Sequence, residues 1–493
     1  MALALGAMAA LVLWRSLPFV GPVPPDGLYN SDSAIPVLMS NLASGASVDW
    51  LFWGQDRFGS WPFLALRALR GLFGWAWTPH GHHVVRTLWM VAALVPWVAL
   101  AGRAGVVAGA GLLLLPGLNP LLERVLVDLG TVDGWQVPAL LWAWWGLRRA
   151  AVGPRRGGWL VLAVVAGVLA TWTSLVSAPL LLVLAVVEGT GRGLSRGWRA
   201  ALTVPALAGV LVETLVRTAW HAGVRARGWP NVRTPASLDA GHLVENARAV
   251  LSVASQVGAL PWLLIVLGAG VTSLVLSRRS GETPERRTLV GTAAASMTAL
   301  LVVVAVRHVR DNGYNPRYLG VGLSLAVLGT SVAAGLAVRG LLARALPAAA
   351  PAELGIVGLV VVALLAPTAR PDPRKTVLLP AAGEIRARYS GAVLVASYWR
   401  TYALAGLLPP WTVIPLPREG EWNRRPDWVA FLRSDRPVLF GRLDSETGPP
   451  PPTRVERGSR LVLVAPDVVS IPPFPGESTG ERLSLYRPVV GGG

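Results

Sequence analysis

The chain is 493 residues long, 53% hydrophobic and only 15% charged, and its apolar runs match the ~20 residues a helix needs to cross a bilayer, which excludes an ordinary water-soluble domain. A formal charge of +18 raises nucleic acid as a partner, but the arginines fall mainly between apolar runs, where a positive-inside bias and lipid headgroups account for them, and no nucleic-acid partner is expected. With no cysteine, disulfides and thiolate metal sites are excluded, and the redox compartment leaves no mark.

Taken in order, the first apolar run at 2–20 lacks a basic leader and a small-residue cleavage site before Tyr29, which predicts a retained span. Further spans are predicted at 83–101, 104–118, 135–147, 158–171, 177–187, 200–220, 260–276, 288–306, 318–338 and 354–368. The expected fold is an α-helical polytopic membrane protein of about eleven transmembrane helices, several of them short for a full crossing. If the spans alternate, Arg148, Arg149, Arg155, Arg156, Arg192, Arg196, Arg199, Arg278, Arg279, Arg286, Arg287, Arg339 and Arg344 share one side, which the positive-inside bias makes cytoplasmic. The other side receives the loop 22–82, residues 119–134, the turn Trp172-Thr173-Ser174, the loops 221–246 and 307–317, and everything after Arg370. Arg225, Arg227 and Arg233 fall on that outer side, so the bias holds in the majority of loops rather than in all.

After Arg370 prolines cluster and membrane-length runs vanish. Short β-rich stretches at 392–396, 412–415, 437–440 and 460–464 alternate with helical ones at 381–389, 402–407 and 428–434. Two domains are expected: a transmembrane one over 1–369 carrying the outer loop 22–82, and a small extracytoplasmic α/β domain over 370–493, with Gly448-Pro449-Pro450-Pro451-Pro452 as a stiff linker or loop inside it. No internal repeat stands out.

The polar stretch from Tyr29 to His83 is where chemistry is expected first, because apolar runs pin both of its ends to the membrane. Asp32 follows the first span by a short linker with Pro22, Pro24 and Pro25, which sets it near the outer surface, where an acid can take a proton from an acceptor while a lipid-borne leaving group lies at the same depth. Asp32 or Ser33 reads equally as the N-cap of an interfacial helix over 34–42.

Several short motifs together resemble the GT-C glycosyltransferase superfamily, which includes protein O-mannosyltransferases and lipid A aminoarabinose transferases. They are Asp32-Ser33-Ala34, the aromatic Phe52-Trp53-Gly54-Gln55-Asp56-Arg57-Phe58-Gly59, the short helices around Thr171-Trp172-Thr173-Ser174, Asn315-Pro316-Arg317-Tyr318 and Gly391-Ala392-Val393-Leu394-Val395-Ala396-Ser397-Tyr398-Trp399. The resemblance covers the whole layout. It implies a polyprenyl-phosphate sugar donor, inversion at the anomeric carbon, and Asp32 as general base or acceptor orienter. The mannosyltransferases usually carry adjacent acids, whereas Ser33 follows Asp32 here, leaving Asp49 or Asp56 as partner.

Other candidates each have a plainer reading beside them. Asp56-Arg57 is a sugar-site pair or a local ion pair, and Gln55 and Trp53 line a sugar site or anchor the interface. Glu123, Asp128 and Asp133 lack a tight metal-binding spacing and read better as caps or partners of Arg124, and metal dependence stays open between a divalent ion and none. His80, His82 and His83 read as interface polar residues rather than a metal cluster, and His308 as a lone one. Arg307, His308, Arg310 and Arg317 surround 311–316, where planar guanidinium suits a phosphate, and Arg317 beside Tyr318 is the preferred donor-phosphate residue against headgroup snorkelling. Glu213 and Arg217 have the spacing of an intrahelical pair, and Tyr398, Trp399, Arg400 and Tyr402 form either an acceptor platform or core. The chain reads as a membrane glycosyltransferase with Asp32 as the catalytic residue, Asp49, Gln55, Asp56, Arg57, Arg310, Arg317 and Tyr318 at the substrate, and a glycan, lipid or protein acceptor, in the plasma membrane. A transporter or flippase of a lipid-linked sugar is the competing class, disfavoured because polar residues concentrate on one face rather than at the midplane, and an inactive envelope-assembly partner is the third.

Overall fold

The computed structural model describes residues 31–43, 46–53, 58–105, 133–190, 192–229, 238–345, 373–408, 413–419, 421, 425–473 and 478–489. The expected spans at 2–20 and 354–368, and most of that at 104–118, lie outside the described residues. The outer loop supplies α1 (Ser31–Asn41) and α2 (Trp61–Phe73), and the bundle supplies α3 (Pro79–Ala101), α4 (Asp133–Val152), α5 (Arg156–Thr173) and α6 (Ser177–Gly189). It continues through α7 (Arg196–Ala201), α8 (Val204–Ala226), α9 (Leu243–Gln256), α10 (Leu260–Ser280), α11 (Pro284–Ala305), the short α12 (Arg307–Asp311) and α13 (Gly320–Ala345).

Among the described residues six segments are long and apolar enough to cross a membrane: Pro79–Ala101, Arg156–Thr173, Arg196–Ala226, Leu260–Ser280, Pro284–Ala305 and Pro316–Ala337. The expected span at 135–147 is helical but runs on to Val152 and carries Arg148 and Arg149, and the one at 177–187 is a helix of 13 residues, short of the ~20 that a crossing takes. The helices start and stop where local chemistry dictates. The Thr78 and Thr283 hydroxyls accept from Gly81 N (3.1 Å) and Arg286 N (3.3 Å), each followed by a proline whose missing N–H costs nothing in a first turn. Pro316–Ala337, 78% buried, lies at the centre of the bundle, and Leu260–Ser280, 22% buried, at its rim.

One end of the bundle is closed by buried charge. Arg148 Nε donates to Glu188 Oε1 (2.9 Å) and its Nη1 to Leu100 O (2.9 Å) and Thr288 Oγ1 (2.7 Å), while Arg192 pairs with Glu188 Oε2 (3.1 Å). Arg287 reaches Thr190 O (2.9 Å). Arg148, Arg192 and Arg287, which the sequence assigns to one side, are therefore drawn to one place.

The C-terminal region adds α14 (Pro373–Arg388), α15 (Tyr398–Leu407) and a six-stranded sheet of β1 (Ala392–Ala396), β2 (Val413–Pro417), β3 (Val438–Leu443), β4 (Thr453–Glu456), β5 (Ser459–Ile471) and β6 (Glu481–Pro488). Its order is β2-β1-β3-β6-β5-β4, with β1 parallel to β2 and β3 and the rest antiparallel. All five residues of β1 are buried, as expected of a strand covered on both faces. This core is shared: Ala34, Ile35, Leu38 and Met39 of α1, with Phe52, Trp53 and Phe63, pack into one cluster with Val393, Tyr402 and Leu404. The outer loop is thus built into the C-terminal sheet domain rather than merely lying beside it.

Candidate functional site at the loop end of the bundle

α1 runs from Ser31 through Asn41, so Asp32 stands within the helix rather than ahead of it as an N-cap. Pro36, lacking an N–H, cannot bond the Asp32 carbonyl as an ordinary residue would in a helix. The Asp32 side chain lies outside the described residues, as do Gln55, Asp56 and Arg57. The far end of α1 is fixed by Asn41, whose amide accepts from Trp77 N (2.8 Å) and donates to Trp77 O (2.8 Å).

Asp49 is buried, with 1% of its side chain exposed, and pairs with Arg67 Nη1 at 2.7 Å while accepting from Trp53 Nε1 at 3.0 Å. Such a carboxylate is neutralised and oriented, and its geometry fits a residue that holds the loop in shape. The loop's stem is a short antiparallel contact of Leu51 with Gly59, with Phe52 N donating to Phe58 O (2.8 Å). It leans on the α5–α6 turn: Trp172 Nε1 donates to Trp50 O (3.1 Å), Gly59 N to Thr173 O (3.2 Å) and Trp61 Nε1 to Thr173 Oγ1 (2.6 Å). A side chain at position 59 would collide with the Trp172 carbonyl, so glycine is required by close approach. Val48 and Leu51 also pack on Val216, Trp220 and Val224 of α8.

The second group of candidates forms around Asp239. Its carboxylate accepts from Arg310 Nη1 (2.7 Å), Asn246 Nδ2 (3.1 Å) and His242 Nδ1 (2.8 Å), and its amide donates to Ala305 O (2.8 Å). The Asn246 hydrogen bond foremost, aided by His242 and the Arg310 charge, holds the Asp239 carboxyl below the usual carboxylate range against the opposing effect of burial. Tyr314 donates to Asn246 Oδ1 (2.6 Å), and burial first, then Glu245, raises its phenol so that the proton stays on. Arg310 is therefore committed to Asp239. Arg317 differs: it is half-buried, its guanidinium carbon sits 5.3 Å from the Tyr318 ring centroid, and its buried Nε has no hydrogen-bond partner among the described residues. The Tyr318 hydroxyl lies 3.2 Å from His308 Nε2, so His308 is part of this group and not the lone residue the sequence suggests.

The loop between α8 and α9 touches both groups, since Trp229 packs on the Val48–Leu51 cluster and Asp239 binds Arg310. The outer loop, the 172–174 turn, the 221–246 loop and the 307–317 segment, all assigned by sequence to one side, are joined by these contacts at one end. Other expectations resolve more plainly. Glu213 accepts from Arg217 Nε (2.8 Å) as the intrahelical pair expected. His82 is fully buried, against the expectation of an interface residue, with its ring near Phe63 (6.2 Å) and Trp77 (6.0 Å). Tyr402 and Arg400 are core, Arg400 bonding Glu481, whereas Trp399 is exposed. Glu123 and Asp128 lie outside the described residues, and Asp133 opens α4 with its side chain likewise outside them. Among the described residues no group of three or more His, Asp or Glu could hold a metal ion.

Sequence reasoning missed Asp239, Asn246 and Arg425. Asp239-x-x-His242 with Asn246 seven residues after the acid is the spacing of one helix face just before an apolar stretch, which was a usable signal. Arg425 gives none, because its three tryptophan neighbours are scattered along the chain.

Comparison by sequence finds no matching family model and no matching curated protein. By structure, the chain is similar to ArnT, an aminoarabinose transferase, from Cupriavidus metallidurans bound to undecaprenyl phosphate, with a TM-score of 0.52 and 15% identity over 88% of this chain and 92% of that one. The apo state of the same protein gives 0.51 and 15% over 88% and 91%. The archaeal oligosaccharyltransferase AglB from Archaeoglobus fulgidus, in complex with an inhibitory peptide and a dolichol-phosphate, gives 0.45 and 11% over 84% and 64%. The two ArnT structures show a shared fold, and at these identities the likeness is one of fold alone.

Proposed function

We propose that this chain is a multi-pass membrane glycosyltransferase of the plasma membrane that transfers a sugar from a polyprenyl-phosphate donor to an acceptor on the extracytoplasmic face. The observation that carries this reading is the fold shared with an ArnT structure bound to undecaprenyl phosphate, over 88% of this chain. In the proposed reaction an acceptor hydroxyl or amine attacks the anomeric carbon, the bond from that carbon to the phosphate oxygen breaks, polyprenyl phosphate leaves with the electron pair, and Asp32 takes the acceptor proton. The sugar inverts.

Arg317 is the better of the two arginines for the donor phosphate, because Arg310 is already neutralised by Asp239 while the buried Nε–H of Arg317 has no partner among the described residues. Tyr318, braced by His308, carries the guanidinium. Asp49 holds the described part of the outer loop in shape through Arg67 and Trp53, and Gln55, Asp56 and Arg57 are assigned to the sugar or phosphate from the sequence alone. The domains divide near residue 370, with the C-terminal one on the extracytoplasmic side.

The test is a deletion strain whose lipid-linked sugars and envelope glycans are measured by mass spectrometry. Accumulation of a polyprenyl-phosphate sugar that is relieved by the parent gene but not by Asp32→Asn, at equal membrane levels, is the expected result. Full complementation by Asp32→Asn removes Asp32 from the mechanism.

A further inference from the structure

Arg425 of the C-terminal domain is buried, and its guanidinium carbon lies 4.8 Å from the Trp53 ring centroid, 4.7 Å from that of Trp428 and 6.0 Å from that of Trp229. Asp427 holds the guanidinium by two bonds, Nε to Oδ1 at 2.9 Å and Nη2 to Oδ2 at 2.7 Å, which fixes its plane. The three rings come from three places: the outer loop, the C-terminal domain, and the segment after α8. Trp53 and Trp428 also meet edge to face, 5.5 Å apart at 87°.

A cation desolvated between aromatic faces attracts both strongly, so this contact does more than fill space. Its effect passes along the outer loop, because the Trp53 ring that Arg425 covers also donates its Nε1–H to Asp49, and Asp49 in turn holds Arg67 of α2. We infer that Arg425 is a positioning residue: a clasp by which the C-terminal domain, acting through Trp53 and Asp49, sets the shape of the outer loop. That this loop serves the donor rests on the function proposed above, whereas the clasp itself does not.

The chain has no cysteine, so a single spin label reports without background. In full-length protein in nanodiscs, the exposed Trp50 is labelled as Trp50→Cys, with Ser255→Cys on α9 as a remote control. The electron paramagnetic resonance spectrum at position 50 should gain a mobile component in Arg425→Met, which keeps the apolar stem and removes the charge, and in Asp427→Asn to a lesser extent. Arg425→Lys should fall between Arg425→Met and the parent, and the control label should not change. Undecaprenyl phosphate, used as the probe on unlabelled protein, should bind about tenfold more weakly to Arg425→Met, as expected when a site loses its supporting geometry. A position-50 spectrum as rigid in Arg425→Met as in the parent overturns the clasp, and a loosened loop with unchanged binding overturns its positioning role. Failure of the transferase reading shows separately, as complementation by Asp32→Asn, and leaves the label spectra untouched.

Discussion

Glu188 and Glu213 both stand in apolar helices, and they meet the cost of burying a charge differently. Glu188 is fully buried and shared by Arg148, Arg192 and the Trp144 indole, whose Nε1 donates at 2.9 Å. Glu213 has Arg217 four residues on, and that arginine keeps 26% of its side chain exposed. Removing the negative charge at Glu188 strands the buried Arg148 and takes the ion-pair partner from the partly exposed Arg192, which costs about 3–5 kcal/mol. At Glu213 the loss of a partly solvated intrahelical pair costs about 0.5 kcal/mol or less. Thermal melts in detergent should therefore show a large drop for Glu188→Gln and little for Glu213→Gln. Equal drops would show that Glu188 does not carry the charge balance of that end.

Elements depend on close approach as much as on apolar character. α8 lies against α5 where Gly209 meets Thr171 and Gly167 meets Pro205, and a methyl group placed at 209 would stand 2.5 Å from Thr171 Oγ1. Small residues let membrane helices approach where no hydrophobic force drives them together, so Gly209→Leu should destabilise by about 1–3 kcal/mol and Gly209→Ala by less, read as the loss of folded protein on heating in detergent. Equal stability of parent and Gly209→Leu would mean that the two helices slide freely. These contacts also explain what the sequence could reveal. β1 is found at 392–396, as expected, because five consecutive apolar residues, two of them β-branched valines, announce a buried strand. β6 escapes because it starts on Glu481 and Arg482, and Glu481 is buried only by virtue of Ser397, Arg400 and Arg418 from far along the chain. In the same way Arg317 could be singled out from its place beside a span, but that Arg310 is neutralised by Asp239 depends on a loop some seventy residues away, which no local pattern records.

At the scale of the whole molecule the charges divide the bundle, and the division can be read on intact cells. The end closed by Arg148, Glu188, Arg192 and Arg287 lies opposite the one where the outer loop meets the 172–174 turn, the 221–246 loop and the C-terminal sheet. The short loops at the first end are rich in arginine, and the positive-inside bias predicts that this end faces the cytoplasm, even though Arg225 and Arg227 sit at the other. Because the chain has no cysteine, single exposed positions can be labelled with a membrane-impermeant maleimide: Arg155→Cys at the basic end, Asn312→Cys beside Arg310, and Asp435→Cys in the C-terminal domain. Asn312→Cys and Asp435→Cys should react on intact cells, and Arg155→Cys only after lysis. Labelling of Arg155→Cys alone on intact cells would invert the molecule and place the proposed transfer on the cytoplasmic face, while Asn312→Cys and Asp435→Cys on opposite sides would break the gathering of loops on which the proposed site depends.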